Sequence, residues 1–248
     1  MAGGAYAALS GLRSRMEQLD RLAGDIANAK TAGYKSERVT TQAAERPDFD
    51  RVLQAAVDVT PATGYLDFRP GSMERTGRDL DFAIEGRGFF VVDTPNGPRY
   101  TRNGHLSIAT DGTLVTADGH PLQAVAPQGT TDRTLKVDAT SGPLSVAGDG
   151  TVSAGSQTMG RLRVVDFDDY STLEREELGR FRAPASLTPE ESSNAEVRSG
   201  LLEASNVSVV DRMVALTEVA RGFEALQRGL NILHTELDGR AISELGRR

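Results

Sequence analysis

Leu9-Ser10-Gly11-Leu12-Arg13-Ser14-Arg15-Met16-Glu17-Gln18-Leu19-Asp20-Arg21-Leu22-Ala23-Gly24-Asp25-Ile26 decides how this chain begins. Leu9, Leu12, Met16, Leu19, Ala23 and Ile26 recur at spacings of 3, 4, 3, 4 and 3, which on a helix is one apolar stripe with the heptad a/d period. Arg13, Arg15, Glu17, Asp20, Arg21 and Asp25 take the other faces. No Pro interrupts the run, and apart from Gly11 and Gly24 its residues are good helix formers. The spacing predicts a helix from about Ala5 to Ala29, stopping near Gly33, where a left-handed cap is available.

The far end mirrors this. Val210, Met213, Leu216, Ala220, Phe223, Leu226, Leu230, Leu233 and Leu237 return every three or four residues, which predicts a second long amphipathic helix. Asn206 and Ser208 both suit a helix N-terminus, and Ser208 with Asp211 fits a capping box. Gly222 and Gly229 weaken the helix but permit close approach of a neighbour.

Between the two stripes the period drops to two. Phe82-Ala83-Ile84, Gly88-Phe89-Phe90-Val91-Val92, Arg99-Tyr100-Thr101, Leu106-Ser107-Ile108 and Thr113-Leu114-Val115-Thr116 read as short strands. They are separated by Asn96-Gly97, Asn103-Gly104, Asp111-Gly112 and Asp118-Gly119, dipeptides expected to supply the positive φ angles of tight hairpins. Leu135–Val137, Leu144–Val146, Thr151–Ser153 and Arg161–Phe167 are further expected strands, with Asp149-Gly150 as another turn. Ala183 to Asn194, with Pro184 and Pro189, reads as irregular. Ser36 to Arg78 is broken by Pro47, Pro61, Gly64, Pro70 and Gly71 and reads as a connector, with room for a short helix between Asp50 and Val59.

The expected fold class is therefore α+β: a discontinuous, coiled-coil-like helical domain drawn from both termini, plus a central antiparallel all-β domain. The expected divisions are 1–35 for the first helix, 36–75 for the connector, 76–200 for the β-domain and 201–248 for the second helix.

Composition removes several function classes. The 248 residues carry a net charge of −7, against a nucleic-acid partner, which needs a surplus of Lys and Arg on one face. With no Cys, thiolate zinc sites, disulfides and thiol nucleophiles are excluded. No run reaches the roughly 20 apolar residues of a membrane span. The first residues lack a secretory signal, because Arg13 and Arg15 fall where its apolar segment should continue. Gly86-Arg87-Gly88 lacks the third Gly of a dinucleotide loop, and His105, His120 and His234 are scattered. Asp166, Asp168 and Asp169 read as a solvated strand end rather than a cation loop. Nothing supports Asp79, Asp81 or Glu85 as a catalytic carboxylate pair. No catalytic, cofactor or metal residue is expected. The open stripes leave two arrangements: an antiparallel pair inside one chain, or packing between copies, since a pair covers only one face of each helix.

Three blocks carry a resemblance to a known family. Gly24-Asp25-Ile26-Ala27-Asn28-Ala29-Lys30-Thr31-Ala32-Gly33-Tyr34-Lys35 resembles the N-terminal motif of bacterial flagellar rod and hook proteins, with Asp25-Ile26 where Asn-Leu is usual. Thr76 to Val92, followed by Tyr100-Thr101-Arg102-Asn103-Gly104 and Asp111 to Gly119, is similar to the family's central block. Ser199-Gly200-Leu201-Leu202-Glu203-Ala204-Ser205-Asn206-Val207 and Arg221-Gly222-Phe223-Glu224 are similar to its C-terminal signatures. Length, connector and Gly160 to Val165 resemble the proximal rod member most, with the distal rod or a hook-type axial protein as competitor. A secreted β-rich adhesin or enzyme with coiled-coil ends is the reading from another class.

The resemblance implies a non-enzymatic subunit that polymerises into the rod, the helical drive shaft carrying torque from motor to hook. It implies copies of itself, neighbouring rod subunits and the flagellar type III export apparatus as partners, without membrane insertion. The implied location is the periplasmic rod of the basal body, reached without a cleaved signal peptide. The expected assembly surface comprises Leu9, Leu12, Met16, Leu19, Ile26, Asn28, Gly33 and Tyr34 near the first helix. From the second end it takes Leu201, Asn206, Val210, Met213, Leu216, Phe223, Leu226, Leu230 and Leu233.

Overall fold

Phe89, Phe90, Val91 and Val92 are all buried, because their strand, Phe89–Thr94, has a core on each face. Alternate side chains leave a strand on opposite sides. Phe90 and Val92 enter one cluster with Phe82, Ile84, Leu106, Leu114 and Leu162. Phe89 and Val91 enter the other with Tyr100, Val165, Phe167 and Phe181. The second cluster concentrates the chain's few aromatics: Tyr100 meets Phe167 edge-on at 4.8 Å, and Phe68 meets Phe181 at 5.1 Å.

A computed structural model describes residues 2–39, 64–125, 133–137, 142 and 144–245. The short helix expected between Asp50 and Val59 lies outside the described residues. The described chain divides into two units. One holds residues 2–27, 37–39, 64–65 and 208–245; the other holds the described part of 28–36 and 66–207.

The second unit, the body, is antiparallel throughout its strand ladders. Its largest sheet has six strands in the order Glu174–Arg175, Arg180–Arg182, Gly97–Thr101, Phe89–Thr94, Val164–Asp166 and Glu190–Glu191. Val91 faces Tyr100 on one side, and Phe90 faces Val164 on the other. Leu106–Ile108 pairs with Leu114–Thr116. Leu144–Val146, Thr151–Ala154 and Gln157–Arg161 form a three-stranded sheet. Phe82–Glu85 pairs with Glu196–Ser199, and Met73–Arg75 with Leu201–Glu203.

The turns follow local chemistry. Asp111-Gly112-Thr113 and Asp149-Gly150-Thr151 build the same loop twice. The Thr N–H donates to one aspartate oxygen at 3.1 and 2.9 Å, the Thr hydroxyl to the other at 3.0 and 2.8 Å, and each Gly sits at φ +85°. Asn103-Gly104 departs from expectation. Gly104 is absent from the positive-φ set; it is Gly because a Cβ there would lie 1.8 Å from the Phe82 carbonyl oxygen. The single strand expected over Arg161–Phe167 is split between Gln157–Arg161 and Val164–Asp166, in different sheets. Leu162 turns into one cluster and Val165 into the other, so one continuous ladder could not serve both.

In the first unit, helix α1 runs Ala2–Ala27 and helix α2 runs Val209–Leu245. The two are antiparallel, since Asp25 meets Arg212 at 3.1 Å while a Cβ on Gly11 would lie 3.8 Å from Leu226. α1 stops before the expected Ala29. Gly33 has the left-handed φ of +69°, but as a wedge: a Cβ would lie 2.4 Å from the Arg102 and Asn103 backbone. α2 begins after Ser208 with one of the two bonds of the expected capping box, the Asp211 N–H pointing at the Ser208 hydroxyl at 3.5 Å. Strand Glu37–Val39, paired with Gly64–Leu66, lies beside the helices, where Arg21 and Arg212 both reach Glu37.

Candidate assembly surface

On α1 the line along which the helices meet is not the apolar stripe, and on α2 it takes Leu226 from it. It runs through Gly11, Arg15 and Asp25 on α1 against Leu226, Gly222 and Arg212 on α2. The small residues allow close approach, and the buried Asp25 carboxylate requires the Arg212 guanidinium. Part of the stripe is consequently exposed. Leu9 is 62% exposed, Met16 55%, Val210 71% and Met213 53%. Leu226 is also exposed, whereas Leu12, Leu19, Ile26, Leu216 and Phe223 are half-buried. Leu230 and Leu233 belong to α2, but their side chains lie outside the described residues. Leu9, Ser10, Leu12, Arg13, Met16 and Phe223 line an apolar groove of about 440 Å³.

The remaining expected surface residues lie in the body. Tyr34 is buried, its hydroxyl accepting from Arg175 at 2.9 Å and its ring 4.6 Å from the same guanidinium. Asn206 accepts from the Ser36 N–H at 2.7 Å and donates to the carbonyls of Asp67 and Arg69 at 2.6 and 3.1 Å. The Asn28 side chain meets the Thr31 hydroxyl at 3.1 Å, Gly33 donates to the Glu203 carbonyl at 2.7 Å, and Leu201 faces Arg75 across a ladder. Asn206, a candidate helix cap in the sequence, is thus a three-way clip, and Ser208 alone caps.

Sequence reasoning assigned no role to the groups that hold this region together. Glu203 is fully buried; one oxygen receives the Lys35 ammonium and the Gly71 N–H, and the other receives Arg102 at 3.2 Å. Lys35 also donates to the Arg69 carbonyl at 3.0 Å, and Arg102 to those of Ile84 and Gly86 at 3.0 and 2.8 Å. Burial pulls the Lys35 amine below its usual range, against the opposing attraction of Glu203, and the Arg102 charge adds to the lowering. The available signal was that Lys35 and Glu203 both stand inside blocks singled out by pattern.

Three of the carboxylates weighed for chemistry have structural partners. Asp81 is buried and bonded to His105 Nδ1 at 2.8 Å, Glu85 pairs with Arg198 at 2.6 Å, and Asp166 with Arg87 at 3.1 Å. Among the described residues no cluster of His, Asp and Glu could hold a metal, and no helix is long and apolar enough to cross a membrane.

Helices from both chain ends with exposed apolar residues, joined to a β-body that holds the central block and most of the two flanking ones, mark an axial protein of the flagellum. The family model described as the flagellar hook protein FlgE/F/G D1 domain matches residues 83–154. That of the flagellar basal body rod FlgEFG protein C-terminal matches 198–235. The chain is 35% identical over 246 residues to the flagellar basal-body rod protein FlgF of Caulobacter vibrioides, covering 98% of this chain and 97% of that one. It is 28% identical to FlgF of Salmonella typhimurium, over 95% of both chains, and 29% identical to FlgG of Bacillus subtilis, over 89% and 90%. The chain belongs to the flagellar basal-body rod protein family. It is a structural protein of the basal body.

Proposed function

We propose that the protein is a subunit of the proximal rod, polymerising with its own copies and with neighbouring rod subunits into the helical shaft that carries torque from motor to hook. The observation that carries this reading is the outward apolar stripe. A chain that leaves Leu9, Met16, Val210 and Met213 to water gains about 1.5–3 kcal/mol for each such side chain a neighbour covers. In the assembled shaft the ends of the chain, 1–35 and 201–248, form a coiled-coil-like inner layer, residues 36–75 connect, and 76–200 stand outside it. Contacts between unlike patches generate an open helix when the rotation between neighbours does not close a ring. No catalysis takes part. Delivery is through the type III export apparatus, without removal of a signal peptide. The proximal placement is supported by the FlgF relative at 35% identity; the FlgG relative at 29% favours the distal rod as second reading.

A deletion strain separates these. Basal bodies whose rod ends before the distal segment fit the proximal reading. Rods carrying a proximal segment and ending there fit the distal one. Complete hooks and filaments in the deletion strain exclude both.

A further inference from the structure

The apolar surface of the helical unit is two patches of different shape and charge. One is the groove, concave, with Arg13 along its lining. The other is a ridge at the start of α2, where Val209, Val210, Met213 and Val214 are exposed and Asp211 and Glu218, seven residues apart, run along one side. We propose that the ridge of one copy seats in the groove of the next. This rests on the reading of the protein as a self-assembling subunit and names the contact that assembly uses.

The argument is one of complementarity. The groove's 440 Å³ accommodates several aliphatic side chains, and the ridge presents them in a row at i, i+3 and i+4. Among the described residues Arg13 is tied only to Glu17, one turn along its own helix at 3.1 Å, an exposed pair that is easily exchanged. Asp211 and Glu218 make no ion pair with a described residue. A contact between like patches would set groove against groove, with Arg13 facing Arg13, or ridge against ridge, with Asp211 and Glu218 facing their own copies. Like charges oppose both. Groove against ridge brings opposite charges together, and when each copy gives its ridge to one neighbour and its groove to another the contact repeats along a chain, which the ladder from a double-cysteine variant distinguishes from a reciprocal dimer. The antiparallel register places Met213 opposite residue 24, eight positions from Met16 and about 12 Å along the axis. One copy therefore cannot seat its own ridge in its own groove.

The chain has no Cys, so an introduced pair is read without background. Full-length Met16→Cys and Met213→Cys proteins are mixed under assembling conditions and oxidised, with sedimentation run alongside. Both positions are exposed, so the fold tolerates the changes. The expected result is a disulfide dimer in the mixture, monomers from either variant alone, and a ladder from the double variant. Arg13→Glu in the groove partner lowers the dimer yield severalfold, and Glu218→Arg in the ridge partner restores it. Dimers from either single variant alone overturn the proposal in favour of a two-fold contact. No cross-link despite normal sedimenting assembly overturns it and leaves self-assembly standing, as does cross-linking only to a different rod subunit in isolated basal bodies. Absence of assembly by sedimentation removes the underlying reading as well.

Discussion

Lys35 and Glu203, 168 residues apart in the chain, form an ion pair with no access to solvent. Arg102 occupies the second carboxylate oxygen at 3.2 Å, so three distant segments of the body converge on one acid. Removing one partner of a buried pair leaves a charge that burial cannot accommodate, which typically costs about 3–5 kcal/mol. Glu203→Ala is expected to destabilise the body by that order in urea unfolding followed by circular dichroism. A loss below about 1 kcal/mol would show that the two cations are adequately held by the carbonyls of Arg69, Ile84 and Gly86.

Gly33 and Gly119 have similar dihedral angles, φ +69° and +79°, but different surroundings. A Cβ on Gly33 would lie 2.4 Å from backbone atoms, whereas on Gly119 it meets nothing within 4 Å. Gly119→Ala is expected to cost about 1–2 kcal/mol, the penalty of the left-handed region. Gly33→Ala should cost clearly more, since backbone must move. Equal midpoints in thermal melts of the two variants would contradict the wedge.

Exposed apolar residues on α1 and α2 are expected to matter for assembly and not for folding. Leu9→Asp and Met213→Asp should change the stability of the isolated protein by no more than about 0.5 kcal/mol. In cells, either change should abolish swimming in soft agar. Motile cells producing either variant as their only copy would remove the stripe from the assembly surface.

Asp111, Asp149 and Asp169 are held below the ordinary aspartate range, chiefly by backbone N–H donors from Thr113, Thr151 and Ser171 and then by the hydroxyls of the same residues. Their contribution to stability is fully present above the unfolded value and is lost as pH falls through the lowered folded values. Lys35 has the opposite consequence. Its folded pKa lies below 10.5, so the unfolded chain binds the proton more readily, and stability rises as pH climbs towards 10.5. Carboxyl titrations by NMR should give the three aspartates midpoints below ordinary aspartate. In urea unfolding, Asp149→Asn should flatten the acid limb and leave the alkaline limb unchanged.

Much of the architecture was legible wherever one short-range signal acts alone. Leu106–Ile108 and Leu144–Val146 form as their alternation demands, Ser208 caps α2, and the two Asp-Gly-Thr loops follow from side-chain reach. Strands Met73–Arg75 and Leu201–Glu203 were not legible, because their pairing is long-range and Met73–Arg75 is exposed along its length. Gly104 was misread because close approach to the Phe82 carbonyl leaves the same residue type as a turn does. The outward stripe followed from heptad spacing, but the line that joins the helices did not. Besides Leu226 it uses two glycines and a charged pair, which a hydrophobic period does not detect, and the most buried apolar residues of the helices, Leu22 and Val219, stand off the stripe.

That line has a mechanical consequence. Asp25 is 2% exposed, and Arg212 pairs with it across the two helices at 3.1 Å. Were α1 to slide by one turn, about 5.4 Å, the carboxylate would sit in the seam beside the wrong neighbours, at roughly the cost of a broken buried pair. An all-leucine seam would offer nearly equivalent resting places one notch apart. A single acid–base key removes them, so the pair resists slippage under load as a splined coupling does.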